Sequence, residues 1–149
     1  MIFVCDVMLG KLARYLRVLG LDAPYLHHGG SPVSPAGDRG PSVLFTKKAA
    51  YAGKQGAILV HSNDPREQLR EISGHIRPYI NPDDLMTRCI ECNVRLVEAR
   101  KEDIEPLVPE YIYHHQASFR TCPSCRRVYW EGSHAEEMDE WVRNFYREA

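Results

Sequence analysis

Four of the five cysteines stand in two C-x-x-C pairs, Cys89-Ile90-Glu91-Cys92 and Cys122-Pro123-Ser124-Cys125, separated by 29 residues. Each pair can close a tight turn that directs two thiolates toward one ion. Two such turns make a tetrahedral four-cysteine site for Zn2+, with Zn–S distances of about 2.3 Å. Four protein ligands leave no open position, so the zinc is expected to be structural and to help fold a segment with little core. A redox dithiol or plain buried cysteines are the alternatives. The long spacing fits a ribbon that holds an inserted hairpin. Arg88, Arg126 and Arg127 are close enough in sequence to soften the charge of four thiolates. Cys5, the fifth cysteine, lies in an apolar run and reads as a small core residue.

Two basic pairs could hold phosphate. Lys11 and Arg14 are one turn apart on the polar face of the first predicted helix, and Lys47-Lys48 open the helix predicted after the third strand. In a parallel sheet both pairs belong near the same edge, and helix N-termini with Lys or Arg suit phosphates. An ordinary solvated helix face is the plainer alternative. Histidines 27, 28, 114, 115 and 134 read as solvated or surface groups. Tyr129-Trp130 could stack on a base, but burial against a C-terminal helix is the stronger reading. The chain contains neither a G-x-x-x-x-G-K-[ST] phosphate loop nor a G-x-S-x-G elbow.

Positioning these groups falls to a series of short elements. Ile2 to Cys5 is a strand ending at Asp6. Leu9, Leu12, Ala13, Leu16 and Leu19 then form one helical stripe, with Lys11, Arg14 and Arg17 away from it and Gly20 as the stop. A second strand over about 23–26 completes a βαβ unit. Residues 27–42 hold four glycines and three prolines, which exclude a helix and indicate a loop. Strands follow at 43–46 and 57–60, with a short helix over about 48–55 between them. Asp64-Pro65-Arg66-Glu67 is a helix start, with Asp as N-cap, Pro at the first position and Glu at the capping-box position; that helix ends near Gly74. Short strands are expected at 94–97, 111–113 and 127–130, and a C-terminal helix over 134–145.

With 149 residues, the chain suits one domain plus an appendage. The net charge of −1 conceals a split: residues 1–60 carry seven Lys/Arg against three Asp and no Glu, a net of +4, and the remainder carries −5. A basic front half favours a polyanionic ligand. No apolar run approaches the roughly 20 residues of a membrane span, and the first apolar stretch is closed by Asp6. A cytoplasmic, reducing location is expected, with no membrane partner.

The run from Phe3 to Gly20, FVCDVMLGKLARYLRVLG, resembles the opening of the Mut-seven C-terminal RNase domain family, a PIN-like nuclease fold followed by a zinc ribbon. Cys122-Pro123-Ser124-Cys125 with Val128-Tyr129-Trp130-Glu131-Gly132-Ser133-His134 is similar to that family's ending. The resemblance implies an α/β fold: a PIN-like parallel sheet with flanking helices over about 1–80, then a small four-cysteine zinc ribbon and a C-terminal helix over 81–149. It also implies RNA as ligand and carboxylates at the strand ends that hold Mg2+ or Mn2+, hard cations that take oxygen ligands. Asp6 stands at the family's first acidic position. Asp38, within the Gly/Pro loop, and Asp64, after the fourth strand, are the other carboxylates available. The family's Thr-Arg-Asp-like triplet is here Thr46-Lys47-Lys48, so a cation replaces a carboxylate and the acidic site is partly eroded. The alternative is a catalytically inactive module that binds RNA, or a protein partner through the ribbon.

Overall fold

The computed structural model describes residues 1–26, 40–51, 53, 56–130 and 136–147. The chain divides into two compact units, Met1–Met86 and Thr87–Ala149. It is a mixed α/β protein with a parallel sheet, flanking helices and a four-cysteine cluster.

In the first unit β1 (Ile2–Cys5) leads through a 3₁₀ turn at Val7–Leu9 into α1 (Gly10–Val18). β2 (Ser42–Thr46) and β3 (Ala57–Leu59) complete a parallel sheet of order β1-β2-β3. The strand expected at 23–26 is an extended segment joined to the free side of β1 by isolated bridges, Ile2 with Asp22 and Cys5 with Tyr25. The amides of Phe3 and Cys5 donate to the carbonyls of Asp22 and Pro24 at 2.8 and 2.9 Å, and the Leu26 amide returns to Cys5. Pro24 stands where the parallel ladder needs an N–H aimed at the Phe3 carbonyl, so a regular strand cannot form.

The expected stripe of α1 is buried at every position from Leu9 to Leu19. Arg17 departs from expectation: it is only 8% exposed, and its Nε donates to the Ala23 carbonyl at 3.0 Å. Alternation along the strands puts Phe3 and Phe45 on one face, with ring centroids 5.9 Å apart, and Ile2, Val4, Leu26 and Leu44 together on the other. Between β2 and β3 only a 3₁₀ turn at Ala49–Tyr51 is described of the helix expected at 48–55. α2 (Pro65–Glu71) starts as expected and is capped at Ile72, and the chain then continues through Gly74 in a separate short helix, α3 (Ser73–Ile76). Residues 81–86 close this unit. The Met86 amide donates to the Val18 carbonyl at 2.8 Å, and Gly20 lies directly under the Asp84 backbone.

The second unit contains β4 (Val97–Ala99), α4 (Lys101–Ile104), α5 (Glu110–His115), β5 (Phe119–Thr121), β6 (Val128–Tyr129) and α6 (Glu136–Arg147). β4, β5 and β6 form an antiparallel sheet in that order. Two expectations fail here. Tyr111–Tyr113 is helical within α5, where Pro109 precedes the first turn and the Tyr111 and His115 rings stack at 4.2 Å; three residues are too few to show a period. Val94 and Leu96 belong to a cysteine turn, and the strand begins at Val97. One side of the sheet packs Phe119 against Ile104 and Val108; Tyr129 packs against Cys89 and Cys122. In α6, Val142 and Phe145 are buried. No helix among the described residues is long and apolar enough to cross a membrane.

Gly20 has φ +82°, and a Cβ there would lie 2.2 Å from the Asp84 carbonyl oxygen. Gly53, at φ +73°, has nothing within 4 Å of the same added atom. Urea unfolding of the full chain should therefore show Gly20→Ala losing more than about 2 kcal/mol, and Gly53→Ala about 1 kcal/mol, the cost of the left-handed conformation alone.

Candidate functional site

Two places in the structure concentrate chemistry. The first is the carboxyl edge of the parallel sheet. β1 sends its connection through α1 to the segment at 22–26 on one side, whereas β2 leads to β3 on the other. The crevice outside the ends of β1 and β2 is therefore the topological switch point, where open α/β sheets bind ligands. The parallel register that pairs Cys5 with Phe45 brings the next residues, Asp6 and Thr46, together.

Asp6 is 4% exposed and Thr46 fully buried. The Thr46 hydroxyl donates to Asp6 Oδ2 at 2.6 Å, and the Val7 amide donates to Asp6 Oδ1 at 2.6 Å. The Lys48 amide in turn donates to Thr46 Oγ1 at 3.0 Å. Each carboxylate oxygen thus keeps a lone pair beyond its one hydrogen bond. In the sequence, the triplet at 46–48 draws attention through its charges; the strand register is the signal that singles out Thr46.

The two lysines do not enter this carboxylate. Lys47 Nζ donates to the Ser62 carbonyl at 2.8 Å, to the His61 carbonyl at 3.3 Å and to Asn63 Oδ1 at 2.5 Å, which commits all three of its protons to the loop after β3. Lys48 is exposed, with its ammonium 5.5 Å from the centroid of the Tyr51 ring. The same loop is held from α2: Glu71 accepts the His61 and Ser62 amides at 2.7 and 3.0 Å, and Gln68 donates to the Ser62 carbonyl at 2.9 Å. Asp64 caps α2, its Oδ1 accepting from the Arg66 and Glu67 amides at 2.9 and 3.2 Å. Lys11 and Arg14 are exposed on α1. Asp38, His27 and His28 lie outside the described residues. Cys5, one residue before Asp6, is completely buried, and burial pushes its thiol up to about 12, with Arg17 opposing the rise and Asp6 adding to it. It is a core group and no nucleophile.

The second place is the cysteine cluster. One ligand atom from each of Cys89, Cys92, Cys122 and Cys125 lies within 4.8 Å of all the others, and among the described residues no other group of three potential ligands converges in this way. The Cys89 and Cys125 sulfurs are 3.7 Å apart. A tetrahedron with Zn–S bonds of about 2.3 Å has edges of about 3.8 Å, so the spacing fits zinc.

Both turns are built alike. The Cys89 amide donates to the Val94 carbonyl and the Cys122 amide to the Arg127 carbonyl; Asn93 and Arg126 return their amides to Cys89 and Cys122. Asn93 and Arg126, each just after the second cysteine of its pair, adopt φ of +63° and +64°. The Ser124 and Cys125 amides point at Cys122 Sγ, each at 3.4 Å. The Tyr129 hydroxyl lies 3.2 Å from Cys89 Sγ and accepts the Ile90 amide at 3.3 Å, so it donates to the sulfur. Burial raises the Cys89 thiol, but the hydrogen bond from Tyr129 and those from its neighbours outweigh it and hold the thiol below its ordinary value. The closed sulfur set offers no open coordination position, so it is compatible with a structural zinc ion.

Removing the Tyr129 hydroxyl leaves the tetrahedron intact but takes a hydrogen bond from one sulfur. Tyr129→Phe should weaken zinc binding about 10-fold, read by chelator competition. Thr46→Val strips a buried carboxylate oxygen of its partner and should cost about 1–3 kcal/mol in urea unfolding, whereas Thr46→Ser restores most of it.

The comparison with curated proteins finds no match, and neither does the comparison with solved structures. The family model described as the Mut7-C RNAse domain matches residues 1–142, which takes in both the Asp6–Thr46 pair and all four clustered cysteines. The chain belongs to the Mut7-C RNAse domain family.

Proposed function

We propose that this chain acts on RNA at the carboxyl edge of its parallel sheet, with Asp6 as the carboxylate that holds a divalent cation there. The observation that carries the reading is the Asp6–Thr46 pair, fixed at the switch point with unused lone pairs on the carboxylate. Membership of an RNAse domain family supports RNA as the substrate class.

The donor set suits a hard cation with few protein ligands. Mg2+ is commonly held by one or two carboxylates together with substrate phosphate oxygens and water, and Mn2+ accepts the same oxygen ligands. Bound metal supplies a hydroxide nucleophile and stabilises the leaving oxygen in phosphodiester cleavage. The chain's own part is to aim one carboxylate. Thr46 and the Val7 amide fix its rotamer, and the Lys48 amide fixes the Thr46 hydroxyl. Because Lys47 is spent on the loop at 61–63 and Lys48 lies by Tyr51, neither ammonium cancels the charge of Asp6. Asp64 serves as a helix cap, with one oxygen outside the cap, and Asp38 is the remaining carboxylate of the proposed set. Lys11, Arg14 and the exposed Lys48 are proposed to hold the RNA backbone through its phosphates. With a carboxylate replaced by Lys48, Asp6 alone would hold a cation weakly, RNA phosphate oxygens would complete the ligand set, and hydrolysis is expected to be slow relative to RNA retention. Four thiolates on zinc suit a reducing compartment, which agrees with a cytoplasmic site of action.

Labelled single-stranded RNA, incubated with zinc-loaded protein in Mg2+, Mn2+ or EDTA, tests the reading. Wild type should bind RNA more tightly when Mn2+ is added and cleave it slowly. Asp6→Asn should lose the metal-dependent gain in binding and slow cleavage by about 100-fold or more. Metal-independent binding identical in wild type and Asp6→Asn, with no cleavage, would leave an inactive binding module instead. That second reading is favoured by the cation at Lys48 alone.

A further inference from the structure

Both cysteine turns need a left-handed residue after the second cysteine, and the second turn fills that place with an unusual residue type. Arg126 occupies the left-handed conformation at φ +64°. Glycine takes that conformation without steric cost, and Asn, found at the matching Asn93, tolerates it through its short polar side chain. A long cationic residue there gains no steric relief from its side chain. Strain of this kind at an exposed residue points toward function.

We infer that Arg126 and Arg127 form an anion-binding edge of the zinc ribbon that grips the RNA phosphate backbone. Both side chains are exposed, and among the described residues no carboxylate pairs with either. Their backbones are immobilised by the turn: the Arg126 amide donates to the Cys122 carbonyl at 2.8 Å, and the Arg127 carbonyl accepts from the Cys122 amide at 3.0 Å and the Thr121 hydroxyl at 3.3 Å. The guanidinium groups therefore project from a fixed base.

Arg126 borders an open groove of about 390 Å³ that Arg100, Asp103, Glu98 and Thr121 also line. Asp103 is engaged by Arg100 at 3.0 and 3.3 Å, so that pair carries no net charge into the groove. Glu98 stands opposite Arg120 in the register of β4 and β5. Neither Arg126 nor Arg127 is ion-paired among the described residues, so this edge carries their two positive charges against the single negative charge of Glu98. Guanidinium groups held on a rigid turn present forked donors that match phosphate oxygens.

The ligand is the RNA proposed above, and the inference rests on that reading. The competing role for these arginines is to offset the negative charge of four thiolates on zinc. The two roles separate in Arg126→Gly, which removes the cation and relieves the backbone, and in Arg126→Gly combined with Arg127→Gln. RNA affinity of the zinc-loaded full chain is measured against salt, alongside zinc affinity by chelator competition. We expect zinc affinity to hold within about twofold. The slope of log K against log salt should become shallower by about 0.7 for each phosphate no longer neutralised, so by about 1.4 in the double variant. An unchanged slope with easier zinc release would overturn the inference and assign both arginines to the metal site. Wild type that retains no RNA at any salt would overturn the RNA reading itself; RNA binding with an unaltered slope in the variants overturns this edge alone.

Discussion

A carboxylate held at 4% exposure between two parallel strands needs a partner for each oxygen, and Asp6 finds them in the Val7 amide and the Thr46 hydroxyl. Those two bonds tie the end of β1 to the end of β2 and to the first turn after β1. The rest of the edge follows from that tie. Thr46 can serve Asp6 only because β2 runs parallel to β1 in a register that pairs Cys5 with Phe45. The chain after Thr46 must then turn out of the sheet, which carries Lys47 toward the loop behind β3 and Lys48 toward Tyr51. An unpartnered oxygen at this depth would cost about 1–3 kcal/mol, a large share of a small domain's stability. The same geometry leaves an oriented carboxylate with spare lone pairs at the one crevice this topology creates.

The second unit is stabilised on different terms. Among the described residues, two small apolar clusters, around Tyr129 and around Phe119, lie on a sheet of very short strands. Four sulfurs at zinc-like spacing would, with zinc bound, supply the cross-link that such a sheet lacks, and metal binding would then be part of the folding free energy. Tyr129 joins the two roles: its ring lies in the apolar cluster with Cys89 and Cys122, and its hydroxyl supports a ligand sulfur.

Much of this is legible in the residues. The C-x-x-C pairs announce their own geometry, because the ligand type and the tight turn are both local. The α1 stripe and the Asp64 cap are equally local, and both stand where the sequence places them. What escapes a sequence reading depends on groups distant in the chain. Arg17 looks like its neighbours Lys11 and Arg14, yet it is buried with its Nε on the Ala23 carbonyl, a contact that only the folded chain makes. Lys47 and Lys48 look like one basic pair, yet one is consumed by a loop 14 to 16 residues away and the other is exposed. Pro24 breaks a strand whose other hydrogen bonds are intact, and Tyr111–Tyr113 has too few residues to declare its period. The acidic site is the hardest case. Its geometry rests on Asp6 meeting Thr46 of β2, and that meeting is set by register, not composition.

If RNA engages the sheet edge at Asp6 through a divalent cation, the amides around that carboxylate must sense both. Backbone amide NMR of the zinc-loaded chain, titrated with a short single-stranded RNA in Mg2+ and again in EDTA, reads this residue by residue. Metal-dependent shifts centred on Asp6, Val7, Thr46 and Lys48, absent in Asp6→Asn, are the expected result. RNA binding that leaves those four amides unmoved would contradict the assignment of the sheet edge as the RNA site.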